Sequence, residues 1–525
     1  MTDTLAVSYS PIASALLLGS VLLSAAFVVY GLNTLYLTIR SKRYRQADAP
    51  TLAARPTVAI HLPIYNEFYV VRRLLASCTR AAQRYGSDLV RIYILDDSTD
   101  ETSSEVDRLS LEYVSKGIRV CVVRRGSRTG FKAGALQAAL EETEEKYVAV
   151  FDADFVPPED FLERTVPLLE NDSTVGFVQA RWGHLDRDHS LMTKTIAIGI
   201  DAHFFLEQKG RNGNGYLMNF NGSAGVLRVS AIKEAGGWAP DTLAEDLDLS
   251  YRLQLRGYRG IYLNDVEVPG ELPPTIAGLK RQQGRWARGS LQTAKKLIPS
   301  VNSSKKLSLK QKVEAGIHLT YYLVHPLMVA SFLMAVMADF LSVDVIKYAI
   351  NFSLPVLSGA PAADLVTLSF VFIPWLVFSV LVVLSTVAVL LYCVEAIRVQ
   401  KLGLVANIEQ ILLLVILGYG ISISNSVQAL GGIFSKQTGS FSRTPKYAIE
   451  STGGTWNGKK YQPSLGRTTV LEAGAVALSI VALAYAWITS NVGIMPILIV
   501  YLVGYSCVLY LTVAQALASH GSRDA

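Results

Sequence analysis

Tyr147-Val148-Ala149-Val150-Phe151-Asp152-Ala153-Asp154 is the stretch that decides the fold. Its first five residues form an uncharged apolar run, which reads as a strand buried on both faces. The chain passes from that run straight into two carboxylates one residue apart. Strands buried on both sides belong to sheets covered by helices, and ligands of such sheets bind beyond the carboxyl ends of the strands. Working outward, residues 57–64, 91–95 and 118–123 are further β-rich runs, while 69–85 and 131–145 carry apolar residues at helical spacing. The alternation predicts an α/β domain with a mostly parallel sheet over residues 55–300. The second strand runs into Asp96-Asp97, so both acidic pairs fall where a ligand is expected.

A DxD triplet is weak evidence by itself, and this chain has three: 152–154, 186–188 and 246–248. The first alone directly follows a strongly apolar strand. Its carboxylates suit a hard divalent cation, since Mg²⁺ takes one or two carboxylates plus substrate phosphates; the alternative is that Asp152 caps the next element. Asp246 opens a helical run at 247–255, so it is either a cap or a general base for a hydroxyl acceptor. Gln282, Arg285 and Trp286 share one face of an amphipathic helix. Arg matches phosphate oxygens in a planar fork, and Trp286 either stacks on a sugar or anchors at a membrane interface. A Walker loop and a GxGxxG after a strand are both missing, which argues against a P-loop ATPase and a dinucleotide-binding dehydrogenase. His61 reads as a core residue of its strand.

Half of the 525 residues are hydrophobic and 18% are charged, against roughly 25% charged in a soluble domain. That apolar excess is too large for one globular core and points to lipid. The net charge of +6 (49 basic minus 43 acidic) is mild and contains no long Lys/Arg run for nucleic acid. The four cysteines are widely spaced without a CxxC, which argues against a disulfide framework or a zinc site. Residues 4–39 carry no charge and are long enough to span a bilayer. Arg40, Lys42, Arg43 and Arg45 follow, which puts the N-terminus outside and the next residues in the cytoplasm. Further uncharged stretches are 315–338, 365–394 and 473–519, the last broken at 489–493 into a hairpin. Residues 403–434 are ambiguous. If they crossed, Lys436, Arg443, Lys446, Lys459, Lys460 and Arg467 would lie outside, against the charge rule. They therefore read as an in-plane or re-entrant segment, giving five spans; six is the alternative.

In order, Pro63-Ile64-Tyr65-Asn66-Glu67, Asp96-Asp97, Lys132-Ala133-Gly134-Ala135-Leu136, Asp152-Ala153-Asp154, Glu245-Asp246 and Gln282-x-x-Arg285-Trp286 resemble the processive membrane-integrated family 2 glycosyltransferases: cellulose, mannan and hyaluronan synthases. The resemblance covers about residues 57–300. The family's usual Thr-Glu-Asp stands here as Ala244-Glu245-Asp246. Asn219-Phe220-Asn221-Gly222-Ser223-Ala224-Gly225 and Glu271-Leu272-Pro273 look most like the plant mannan-synthase-like branch, and Phe441-Ser442-Arg443-Thr444 is similar to the family's gating loop.

The resemblance implies a GT-A-type α/β domain at 41–300, after a membrane helix within 1–40. Residues 301–525 would hold the other membrane helices, the interfacial segment 403–434 and a cytosolic gating loop at 435–467. It implies that Asp96, Asp97, Lys132, Asp152, Gln282 and Arg285 bind the nucleotide sugar. Asp152 and Asp154 would hold Mg²⁺ or Mn²⁺, and Asp246 would deprotonate the acceptor. Trp286, Asn221, Gly222 and Ser223 would line the acceptor side, and Phe441 and Thr444 would close over the nucleotide. The implied activity is inverting, processive polymerisation of a polysaccharide from a UDP- or GDP-sugar, with export through a multi-pass membrane region that has its catalytic domain in the cytoplasm. Tyr321, Tyr322 and Trp375 either line that path or are ordinary helix-facing aromatics. A single-addition enzyme acting on a lipid acceptor is the alternative. A non-catalytic transporter or scaffold is the remote one, for which Asp246→Asn would leave function unchanged.

Overall fold

The computed structural model describes residues 11–341, 362–435, 439, 443–462 and 464–521. Seven strands form one sheet in the order β3-β2-β1-β4-β6-β5-β7. They are β1 (Val58–Ile64), β2 (Val90–Asp96), β3 (Arg119–Val123), β4 (Tyr147–Val150), β5 (Val175–His184), β6 (Gly225–Arg228) and β7 (Arg259–Gly270). β1 pairs in parallel with β2 and β4, and β2 with β3. β6 runs antiparallel between β4 and β5, while β5 and β7 are parallel. The sheet is thus mixed and mostly parallel, as the expected GT-A-type α/β class requires.

Two apolar layers sandwich the sheet, and the two-residue period of the strands sorts side chains between them. Val58, Ile60 and Leu62 pack on the face covered by helix Val71–Tyr85. Ala59, Tyr93 and Leu95 pack on the face covered by helix Phe131–Glu142. His61 belongs to the core: its Nε2 is 2.9 Å from Thr143 Oγ1, and burial pushes its imidazole down to about 3. With both faces covered, the free edge of chemistry is where β1, β2 and β4 end, at Ile64, Asp96 and Val150.

Among the described residues, five helices are long and apolar enough to cross a membrane: Leu18–Ser41, Leu309–Phe340, Val380–Val399, Thr468–Ile488 and Met495–Ser519. A sixth would exist if Val405–Gly420 and Ser422–Phe434 were one span, but they are bent by 50°. Ser422, Ser424, Asn425 and Ser426 are buried in the second of these helices, which explains its polarity: those side chains face protein. The helix Leu18–Ser41 belongs to a longer one, Pro11–Ser41, and is tied to the Leu309–Phe340 region through Tyr30, whose hydroxyl donates to the Thr320 carbonyl at 3.2 Å.

Candidate active site

The ends of β1, β2 and β4 open into a cavity of about 170 Å³ lined by Glu67, Asp97, Lys132, Asp152, Asp154 and Asp246, among others. Gln282, Arg285 and Trp286 reach it from the helix Ile276–Ser303, and Asn221 and Thr444 also line it. Three expected residues stand behind the wall. Asp96 is buried and holds Arg124 Nε at 2.9 Å and the Ser98 amide at 3.0 Å. Ser223 Oγ accepts the Asp152 amide at 3.0 Å, so it fixes the start of the acidic triplet. The Gly222 carbonyl accepts Lys132 Nζ at 2.9 Å. Phe441 lies outside the described residues.

The three DxD triplets now separate. Asp186 is buried and accepts the Leu272 amide at 2.8 Å, a structural role. Asp248 pairs with Arg252 at 2.7 Å and Lys296 at 2.8 Å. Asp246 alone of the 246–248 pair faces the cavity. The helix it belongs to starts earlier than its apolar spacing implied, at Glu245, and runs to Arg256. Asp246 is not the cap: the N-cap position is Ala244, with no side-chain capping bond, and Asp246 lies inside the first turn, where Oδ1 accepts the Leu247 amide at 2.8 Å and Oδ2 points toward Gly222.

Charge is concentrated here. Lys132 Nζ lies 2.6 Å from Asp152 Oδ1 and 3.5 Å from Glu245 Oε1. Burial opposes its charge, but Asp152 and Glu245 outweigh that and hold the ammonium above the ordinary lysine range. Burial, reinforced by Glu245, pushes the Asp246 carboxyl up to about 7, against the pull of Lys132. Burial likewise lifts Glu67 to about 8, although Arg443 and Lys446 draw it down. Arg285 is lowered by burial despite its acidic neighbours. Gln282, which lines the cavity, has its Oε1 buried with no hydrogen-bond partner among the described residues.

The donor set for a cation is two carboxylates. Asp152 keeps about a third of its side chain exposed (34%), whereas Asp154 is buried against Lys446 at 2.5 Å. Among the described residues no group of three or more His, Cys, Asp or Glu converges as metal ligands. These residues therefore fit a hard divalent cation completed by phosphate oxygens and water, and not an all-protein cage.

Sequence reasoning quoted Glu67 and Glu245 without giving them a role, and counted Lys446 only as a loop charge. The structure brings all three to the site. Arg443 reaches Glu67 at 3.1 Å, Lys446 reaches Asp154, and Arg285 Nη2 donates to Thr444 Oγ1 at 3.2 Å. The available signal for Glu67 was its place just past β1.

A second cavity, of about 420 Å³, shares Trp182, Asn221, Asp246 and Trp286 with the first and continues past His318, Tyr321, Tyr322 and His325. Tyr321 and Tyr322 therefore line a path beside the membrane-length helices; Trp375 lies outside the described side chains.

Residues 147–393 match the family model described as glycosyl transferase family group 2. Residues 147–393 are thus similar to a family 2 glycosyltransferase domain. Glucomannan 4-beta-mannosyltransferase 1 of Oryza sativa subsp. japonica is 38% identical over 282 residues, covering 52% of this chain and 54% of the relative. Glucomannan 4-beta-mannosyltransferase 2 of Arabidopsis thaliana is 37% identical over 262 residues, 49% of each chain. The chain thus spans about half the length of the curated relatives it matches. A solved mannosyltransferase from Pyrobaculum calidifontis, in complex with GDP-Man and Mn²⁺, aligns over 70% of this chain and 98% of its own at 22% identity and a TM-score of 0.49.

The contact between Gly222 and Asp246 gives a direct test of the site. Gly222 has φ +80°, and a Cβ there would stand 2.8 Å from Asp246 Oδ2 and 3.3 Å from Lys132 Nζ. Gly222→Ala is expected to lower turnover at least about tenfold by displacing Asp246, with the melting temperature nearly unchanged. Wild-type turnover in this variant would show that the close approach does not matter.

Proposed function

We propose that this protein is a processive, inverting β-glycosyltransferase that extends a polysaccharide from a nucleotide sugar and passes the product along the second cavity. One observation carries the reading: Asp246 and Trp286 line both cavities, so a donor in the acidic one and an acceptor in the other meet at a carboxylate. The relatives named as glucomannan 4-beta-mannosyltransferases support a mannosyl donor and a β-1,4 product.

The chemistry follows from the residues. Asp246 takes the proton from an acceptor hydroxyl, and that oxygen forms the new bond to the anomeric carbon. The bond from that carbon to the diphosphate oxygen breaks, and its electron pair leaves with the nucleoside diphosphate. Arg285, Gln282 and Lys132 stand where that charge develops. A divalent cation, Mg²⁺ or Mn²⁺, held by Asp152 and Asp154 would supply further charge neutralisation at the diphosphate. One in-line displacement turns an α-linked donor into a β-glycoside. Trp286 offers a flat face to the acceptor sugar, with Asn221 beside it, held by Gln208 at 2.6 Å.

The same proposal covers the layout. The catalytic domain, about 41–300, faces the cytoplasm between a helix within 1–40 and the membrane region 301–525. Residues 403–434 lie at the interface, and 435–467 close over the nucleotide. Support comes from the basic residues that follow the first span, and from Arg443 and Lys446 reaching the acidic cavity.

Supplying purified protein in detergent with a panel of UDP- and GDP-sugars is expected to yield a long β-linked polymer from a mannosyl donor, cut by a β-1,4-mannan hydrolase. A product carrying one sugar on a lipid would overturn processivity. The pH profile tests the base. Asp246 acts as the deprotonated carboxylate, and burial holds it up to about 7, so kcat/KM should rise across roughly pH 6 to 8 and fall on acidification. A flat profile over that window would remove Asp246 from the role.

A further inference from the structure

The helix Ile276–Ser303 carries Gln282, Arg285 and Trp286 into the acidic cavity. At about 100° per residue, Lys280 and Gly284 lie on the opposite side of that helix. That side meets the membrane region at three points. Lys280 Nζ lies 2.6 Å from Glu472 Oε1 and 2.8 Å from Oε2. The pair is closed to solvent, with 10% of the Lys280 side chain exposed and none of Glu472. One turn earlier, the Ile276 amide donates to Gln515 Oε1 at 2.9 Å. On the same side, the helix Ser422–Phe434 approaches so closely that a Cβ on Gly284 would stand 3.0 Å from Gln428 Cγ.

Glu472 sits in the first turns of Thr468–Ile488, and Gln515 in the last turns of Met495–Gly521. Both therefore come from the same end of the C-terminal helical hairpin. Around these points Ile276 and Leu279 pack with Leu417, Ile421 and Val508, while other polar contacts of the helix lie further along it, at Gln283 with the Tyr322 hydroxyl (3.1 Å) and Lys295 with the Ile433 carbonyl (3.0 Å). Apolar surfaces of that kind tolerate sliding and rotation. A buried ion pair adds little to stability, and its best-attested use is to specify register.

We propose that Glu472, through Lys280, and Gln515 are positioning residues for glycosyl transfer. They set the axial register of the Ile276–Ser303 helix, so that Arg285 and Trp286 meet diphosphate and acceptor at once. Lys280 and Glu472 lie outside the lining of both cavities, so they act through the helix and touch no substrate. The proposal rests on the glycosyl-transfer reading of the site. It also gives the C-terminal hairpin a task beyond crossing the membrane.

The test uses the full chain in detergent. Lys280→Met with Glu472→Met removes both charges and leaves neither unpaired, so the protein is expected to fold and melt as wild type. Its kcat should fall at least about tenfold, with the donor KM within about threefold, because misplaced groups lose most in the transition state. Amide exchange over 276–286 should quicken. The swap of Lys280→Glu with Glu472→Lys should restore kcat to within about threefold. If the neutral pair melts early, Gln515→Leu, which loses one hydrogen bond, must show the same separation of kcat from KM and the same faster exchange. Wild-type kcat in the folded neutral pair, or unchanged exchange over 276–286, would overturn the positioning role. Wild-type protein that transfers no sugar from any donor would overturn the glycosyl-transfer reading instead, and exchange would still decide the helix claim.

Discussion

The ammonium of Lys132 is the constraint around which the site is built. It touches Asp152 at the end of β4, Glu245 at the start of a helix and the carbonyl of Gly222. Those three groups come from separate parts of the chain and would repel one another without it. Removing the ammonium would leave Asp152 and Glu245 facing each other unpaired, so the cluster stands or falls together. Burial, reinforced by Glu245 against the pull of Lys132, holds the Asp246 carboxyl up to about 7, the range suited to a general base.

The same cluster is supported from the sheet. Gln179 of β5 accepts the Asn221 amide at 2.8 Å and donates to the Ser223 carbonyl at 3.0 Å. Trp182 Nε1 donates to that carbonyl as well, at 3.2 Å. The turn 221–224 is therefore locked between β4 and β5, and it in turn sets Asp152 and Asp246. The sheet domain and the helices of membrane-spanning length meet at this point, because Trp182, Asn221, Asp246 and Trp286 belong to both cavities.

Much of this was legible in the sequence. β1, β2 and β4 are mostly apolar runs, broken only by His61 in β1 and Arg91 in β2 before Asp96 closes it, because helices cover both faces of the sheet, and each ends next to residues that line the cavity. The membrane-length helices were legible from charge-free length alone. β6 was not, since Gly225–Arg228 is four residues running antiparallel inside a parallel pattern. Local spacing also hid every contact made across long loops. Lys446 and Asp154 are 292 residues apart, and Lys280 and Glu472 are 192 apart. Asp96 and Asp97 looked alike as neighbours at a strand end, yet the pleat turns Asp96 inward to Arg124 and leaves Asp97 at the cavity, bonded to Arg125.

The central claim is that Asp246 is the base at the junction of the two cavities and takes no part in holding the nucleotide. Asp246→Asn separates the two roles when nucleoside diphosphate binding is measured by calorimetry beside transfer on the same preparation. The account predicts binding within about threefold of wild type and transfer lowered at least about 100-fold. Transfer near the wild-type rate, or nucleotide binding lost together with transfer, would contradict it.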